Sequence, residues 1–183
     1  NPMACVNFVD DKSIPAEGYR LTVGRRKITV NCSDEDGAFY AVQTLLQILT
    51  YKGLPCVKIE DAPRFPYRGF HLDVSRHFFP KEEIFLLLDQ MARYKMNYFH
   101  LHLTDNGGWR VKLDRYPELT AKGSFRTQKS WIEWWDKQDK RYLDEGTPNA
   151  YGGYYTKDEL REIVEYAAAN HIEVIPEIEF PAH

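Results

Sequence analysis

Cysteine is scarce in this chain of 183 residues: Cys5, Cys32 and Cys56 stand far apart, without the paired spacing of a metal knuckle. Their odd number leaves at least one unpaired, which speaks against a disulfide scaffold and a zinc module. No apolar run approaches the roughly 20 residues that span a bilayer, so we expect no membrane span. Charge of one sign is also missing: the net charge is −3, giving no general attraction to nucleic acid, and we expect no nucleic-acid partner. There is no internal repeat and no low-complexity tract. The chain opens at Asn1 with neither an initiator methionine nor a signal-peptide pattern, which we read as a processed or cut end. What is present is 43% hydrophobic residues and 26 aromatics, enough for a packed core.

The pattern changes character at Asp61-Ala62-Pro63-Arg64-Phe65-Pro66, where two prolines in four residues disfavour helix and central strand alike. We place a boundary there, giving domains 1–62 and 63–183. In the first, Tyr19–Val23 and Lys27–Val30 alternate as half-buried strands around a Gly24-Arg25-Arg26 turn. Ser33 and Asp36 form a capping-box pattern ahead of a helix whose apolar face is predicted as Ala38, Val42, Leu45, Leu46 and Leu49. Leu54–Ile59 reads as a further strand. In the second, a strand over 69–74 is followed by a helix burying Ile84, Leu87, Leu88 and Met91, and then by a strand over 97–103. A long loop is predicted over 104–155. Thr156 and Glu159 then cap a helix burying Leu160, Ile163, Val164 and Ala167, with Asn170 at its end, and the last strand spans 172–178.

Alternating strands and helices argue for a parallel sheet with crossovers. A (β/α)8 barrel takes about 250 residues, whereas Arg68 to His183 supplies 116. The expected fold class is therefore α/β: an incomplete (β/α)8 TIM barrel, its first three strands, preceded by the end of a small α+β domain. With three strands the sheet keeps an open edge, and the isolated chain is expected to fold poorly, aggregate or self-associate.

Polar residues gather where each strand ends: Asp73-Val74-Ser75-Arg76-His77, His102-Leu103-Thr104-Asp105-Asn106, and Glu177-Ile178-Glu179-Phe180-Pro181-Ala182-His183. Barrel enzymes build their active sites from these strand ends, so the three clusters point to a polar, acid-rich pocket. Asp73, Arg76 and His77 read as mutual braces. His100 and His102 share a strand face, but with no third ligand at suitable spacing they read as packed, hydrogen-bonded histidines rather than metal ligands. Trp109, Trp131, Trp134 and Trp135 could stack on sugar rings or close the loop among themselves.

The same segments carry a family resemblance. Arg68-Gly69-Phe70-His71-Leu72-Asp73-Val74-Ser75-Arg76-His77 resembles the first barrel strand of glycoside hydrolase family 20, the β-N-acetylhexosaminidases. His100–Asp105 with Gly108-Trp109-Arg110 and Tyr116-Pro117-Glu118-Leu119 resembles the second strand and loop. Tyr151–Thr156 and Pro176–His183 resemble the third unit, and residues 17–49 are similar to the small domain before the barrel. Ala182 and Asn106-Gly107 depart from the family's usual pattern.

The resemblance implies removal of a terminal β-linked N-acetylhexosamine, GlcNAc or GalNAc, by a substrate-assisted retaining mechanism without metal or organic cofactor. It implies that Arg68 binds the C3 and C4 hydroxyls, against the alternative of an arginine that pairs with an acid beside the linker. Asp105 and His183 would form a relay supporting the acid catalyst, and Glu179 would be a further acid near the pocket or a structural carboxylate. The Asp-Glu pair that performs the family's chemistry is expected beyond His183, since Asp34-Glu35 and Asp158-Glu159 open helices and Asp144-Glu145 lies in a loop. The alternative is a non-catalytic carbohydrate-binding or scaffold protein on the same fold. The family's usual substrates suggest a periplasmic, secreted or lysosomal setting. Oligomeric state is left open.

Overall fold

In the computed structural model, the structure describes residues 6–136 and 141–180, in two compact units: residues 1–68 with 92–95, and residues 69–91 with 96–183. The first holds β1 (Val6–Asp10), β2 (Tyr19–Val23), β3 (Ile28–Cys32), α1 (Glu35–Ile48) and β4 (Val57–Asp61). Its sheet runs β1-β3-β2-β4, with β2 antiparallel to both β3 and β4 and β1 parallel to β3. Strand β1 is an exposed edge that the sequence reading does not include. The alternating positions Tyr19, Leu21, Val23 and Ile28, Val30, Cys32 face inward, as their period of two requires.

Helix α1 departs from prediction in two respects. Its N-cap is Asp34, whose Oδ1 accepts from Gly37 N at 2.7 Å, while Ser33 Oγ donates to Pro15 O. Its buried face is Gly37, Tyr40, Ala41 and Thr44, so Leu46 and Leu49 are exposed. Two polar groups turn the helix this way. Tyr40 Oη accepts from Arg68 at 3.0 Å, and Thr44 Oγ1 shares a 2.6 Å hydrogen bond with Tyr19 Oη. Gly37 sits so close to the Gly18 carbonyl that any side chain would collide with it.

The second unit holds β5 (Gly69–Asp73), α2 (Lys81–Arg93, whose last two residues group with the first unit), β6 (Tyr98–Asp105), β7 (Gly108–Trp109), α3 (Glu118–Gly123), β8 (Phe125–Arg126), α4 (Trp131–Asp136), β9 (Tyr142–Leu143), β10 (Tyr151–Gly152), α5 (Lys157–Ala169) and β11 (Glu173–Ile178). Strands β11, β6 and β5 lie side by side and all parallel, the three barrel strands expected, with β7 folded back antiparallel on β6. Helix α2 buries Ile84, Leu88 and Met91; α5 buries Ile163 and Ala167, while Val164, predicted inside, is half exposed. Thr156 and Glu159 form the predicted capping box, and His171 in the left-handed region (φ 58°) ends α5.

The expected loop over 104–155 is instead a folded cap, with the small sheet β10-β8-β9 and two six-residue helices. Two buried arginines organise it. Arg110 donates to the carbonyls of Val74, Ser75, Ser124 and Gly153 at 2.5–3.0 Å. Arg126 donates to Arg76, Gly107, Gln128 and Lys129 carbonyls at 2.6–2.9 Å. Burial, with the repulsion of Arg126 next in weight, lowers Arg110 to about 10, and its four carbonyl acceptors keep the charge tolerable inside.

Candidate active site

The register of the parallel sheet brings one polar row together. Asp73 lies opposite His102, and His102 opposite Glu177; one step earlier His71 lies opposite His100. Because side chains alternate along a strand, His71 and Asp73, His100 and His102, and Glu177 occupy one face.

At the ends of β5 and β6 stands a charged cluster. Asp73 Oδ1 accepts from the backbone of Ser75 and Arg76 at 2.9 and 3.0 Å, an Asx turn that reverses the chain just after the strand. This turn aims Arg76 across the sheet. Its guanidinium pairs with Asp73 Oδ2 at 2.8 Å and Asp105 Oδ2 at 2.7 Å. Asp105 has a side-chain exposure of 0%, accepts from Asn106 N at 2.6 Å, and faces His102 Nε2 at 3.1 Å. The Arg76 guanidinium also lies 5.8 Å from the centre of the Trp131 ring, and its carbonyl is gripped by Arg126. Gly107 allows this closeness: a Cβ there would stand 3.0 Å from Arg76 Cα and 3.1 Å from Trp131.

Glu177 is surrounded by imidazoles. Its Oε2 lies 2.7 Å from His100 Nε2, 3.0 Å from His102 Nδ1 and 3.5 Å from His71 Nε2. Burial pushes this carboxyl up, but the facing imidazoles more than offset burial and hold it below the ordinary glutamate value.

The structure sorts the expected site residues. Asp105 ends β6 inside the cluster. Glu179 follows β11, held through its backbone: its N–H bonds Thr104 Oγ1 at 2.9 Å and its carbonyl accepts from that hydroxyl at 3.2 Å. His183 lies outside the described residues. Arg68 is the correction. It immediately precedes β5, at the opposite end of that strand from Asp73, and its donors are taken by Glu17, Tyr40 Oη (3.0 Å), Phe65 O (2.9 Å) and Lys95 O (2.7 Å), all within the first unit. The arginine at the strand ends is Arg76, read from sequence only as a brace. Glu177 was likewise passed over for Glu179. For both the signal was available: Arg76 lies beyond the C-terminal end of its strand where Arg68 lies before the start, and Glu177 falls in register with His102.

Of the tryptophans, Trp109 donates from Nε1 to Val111 O at 2.7 Å and serves the cap. Trp131, Trp134 and Trp135 pack on one another, with ring centres 5.3–5.4 Å apart from Trp131. Trp131 also lies against Arg76.

Residues 65–183 match the family model "Glycosyl hydrolase family 20, catalytic domain", and residues 3–62 match "Glycosyl hydrolase family 20, domain 2". The chain belongs to glycosyl hydrolase family 20. Among its family 20 relatives, a beta-hexosaminidase of Porphyromonas gingivalis is 40% identical, over 94% of this chain and 22% of its own length. The N,N'-diacetylchitobiase of Vibrio harveyi is 43% identical, over 90% of this chain and 19% of its own length. The crystal structure of the family 20 exo beta-N-acetylglucosaminidase from Vibrio harveyi in complex with N-acetylglucosamine superposes with a TM-score of 0.84 at 34% identity, over 97% of this chain and 28% of that one. The chain thus spans about a fifth of the length of these two curated relatives. Among the described residues no helix is long and apolar enough to cross a membrane.

Proposed function

We propose that the protein carrying this chain removes terminal β-linked N-acetylhexosamine, GlcNAc or GalNAc, by a substrate-assisted retaining mechanism, and that this chain supplies one wall of the sugar pocket. In that mechanism the 2-acetamido oxygen of the substrate attacks the anomeric carbon, while an acid protonates the leaving oxygen. The observation that carries the reading is the Arg76–Asp105 pair beside Trp131, at the C-terminal ends of parallel strands. A guanidinium held by two carboxylates still has N–H donors for vicinal hydroxyls, and an adjacent indole offers a face to the sugar ring. The hydroxyl-binding role expected of Arg68 therefore falls to Arg76.

Asp105 and His183 would support the acid, a role the family resemblance implies and the burial of Asp105 favours. Asp34 caps α1 and Glu35 begins it, Asp158 and Glu159 stand in the first turn of α5, and Glu145 takes a hydrogen bond from Tyr154 Oη at 3.2 Å within the cap. None of these three pairs ends a strand of the parallel sheet, so the reactive Asp-Glu pair would follow His183. An extracytoplasmic setting is part of the same proposal.

The test is hydrolysis of an aryl β-N-acetylglucosaminide by the full-length protein. Arg76→Ala is expected to lower kcat/KM by on the order of 10²-fold or more, as for a lost positioning contact. Arg68→Ala should leave kcat/KM per folded molecule near the parent value. A folded protein that binds N-acetylglucosamine but hydrolyses nothing would shift the reading to a carbohydrate-binding protein on the same fold.

A further inference from the structure

The polar face of the barrel strands holds a second cluster, one step deeper than the Arg76–Asp105 pair. Among the described residues, one nitrogen each of His71 and His102 and one oxygen of Glu177 lie within 4.8 Å of one another. Each comes from a different strand, β5, β6 and β11, so chain spacing gave no sign of a third ligand.

The cluster is poorly explained as a set of ordinary hydrogen bonds. Glu177 Oε2 is buried and receives no hydrogen bond of acceptable geometry, although three imidazole nitrogens stand within 3.5 Å. His102 adds a constraint. Its Nε2 faces both the buried Asp105 carboxylate at 3.1 Å, which favours a proton on Nε2, and the donor-only Arg76 guanidinium at 3.5 Å, which favours a lone pair there; we take the Asp105-directed tautomer. In a neutral His102 that leaves the Nδ1 lone pair aimed at Glu177 Oε2 only 3.0 Å away. Two lone pairs at that distance repel unless something positive lies between them.

We propose that His71 Nε2, His102 Nδ1 and Glu177 Oε2 form a site for a divalent first-row transition-metal ion such as zinc. The spacing fits. Metal–ligand bonds of about 2.0–2.2 Å at tetrahedral corners place ligand atoms roughly 3.3–3.6 Å apart. Glu177 Oε2 stands 3.0 Å from His102 Nδ1 and 3.5 Å from His71 Nε2, and all three ligand atoms lie within 4.8 Å of one another, so closure on a metal draws the two imidazoles towards each other. Two imidazoles and one carboxylate are a donor set for zinc, cobalt or nickel, whereas calcium and magnesium take oxygen shells. Asp105 on the far nitrogen of His102 is the carboxylate–histidine support that orients a metal-bound imidazole. His71, with half of its side chain exposed, lies on the open side. His100 Nε2, 2.7 Å from the same Glu177 oxygen, is placed to supply a fourth ligand. The site is distinct from the proposed substrate-assisted hydrolysis and meets its residues at His102, whose Nε2 faces Asp105 at 3.1 Å and Arg76 at 3.5 Å.

The experiment titrates the full-length protein, with Cys5 and Cys56 changed to serine, with Co2+ as a spectroscopic probe and with Zn2+ by calorimetry. One equivalent of Co2+ with the visible absorption of a low-symmetry, four- or five-coordinate ion is expected, displaced by Zn2+. His71→Ala and Glu177→Gln should each remove that equivalent, and Asp105→Asn should weaken it about 10–100-fold. Circular dichroism establishes that each variant is folded. His71→Ala, at a half-exposed position, keeps the test decisive where Glu177→Gln disturbs the sheet. An unchanged Co2+ spectrum and stoichiometry in folded His71→Ala, or no Co2+ bound by the parent protein, overturns the proposal.

Discussion

A single guanidinium illustrates how much a residue's neighbours decide. Arg68 and Arg76 are eight positions apart in one motif, and both are charged, aromatic-contacting arginines. Arg68 meets Glu17, a residue held in the left-handed region (φ 60°) with its N–H on Asp34 Oδ2 at 2.8 Å, and lies 5.4 Å from the Tyr40 ring. It ties the segment before β2, helix α1 and the turn at Lys95 into one unit. Losing it would leave the partly buried Glu17 carboxylate without its cation. Arg68→Ala is therefore expected to destabilise the protein by about 2–3 kcal/mol, read by chemical denaturation. Arg68→Lys should recover little of this, because an ammonium lacks the planar fork that reaches four acceptors. Activity lost in Arg68→Ala at full stability would instead restore it to the sugar pocket.

At the scale of elements, helix α1 shows a polar pair overruling hydrophobic periodicity. Its leucines at 45, 46 and 49 suggested one apolar stripe, but the hydrogen bonds of Tyr40 and Thr44 and the tight approach of Gly37 to Gly18 rotate the helix about that expectation. Replacing glycine by alanine inside an exposed helix stabilises by about 1 kcal/mol. At position 37 the sign should reverse. The added methyl would press on the Gly18 carbonyl, so Gly37→Ala is expected to lower stability by about 1–3 kcal/mol. A rise in melting temperature would contradict the close approach. Elements whose caps and apolar stripe agree with their tertiary setting, such as α5 with its Thr156–Glu159 box, were legible from sequence almost to the residue.

For the molecule as a whole, the parallel sheet matters most. Among the described residues, β5 and β11 each pair only with β6, leaving an outer edge on both sides. On β11 the single interruption is Pro176, and the polar face carries His71, half exposed, with His100 and Glu177 partly exposed. Unpaired edges of this length invite strand pairing with another chain. Residues 1–183 expressed alone are expected to self-associate, with sedimentation and melting that depend on concentration. A sharp, reversible transition of a monomer, independent of concentration, would show the edges to be sufficient as they stand.

Sequence by itself determined the kinds and order of the principal elements, though not β1 or the folded cap: the period of two in β2 and β3, the period near four in α2 and α5, the proline boundary, and the motifs that mark family 20. These are local properties, written in neighbouring residues, and they survive any tertiary arrangement. What only the tertiary structure decided was which side chains meet. That Arg76 rather than Arg68 faces Asp105 depends on which end of β5 each occupies and on the turn that Asp73 closes. That two histidines and a glutamate converge depends on the register between β5, β6 and β11, and a shift of one residue would turn them to opposite faces. The buried hubs Arg110 and Arg126 bind main-chain carbonyls, which every residue possesses. Their partners are therefore invisible in the side-chain sequence and are selected only when the chain folds back over the strand ends.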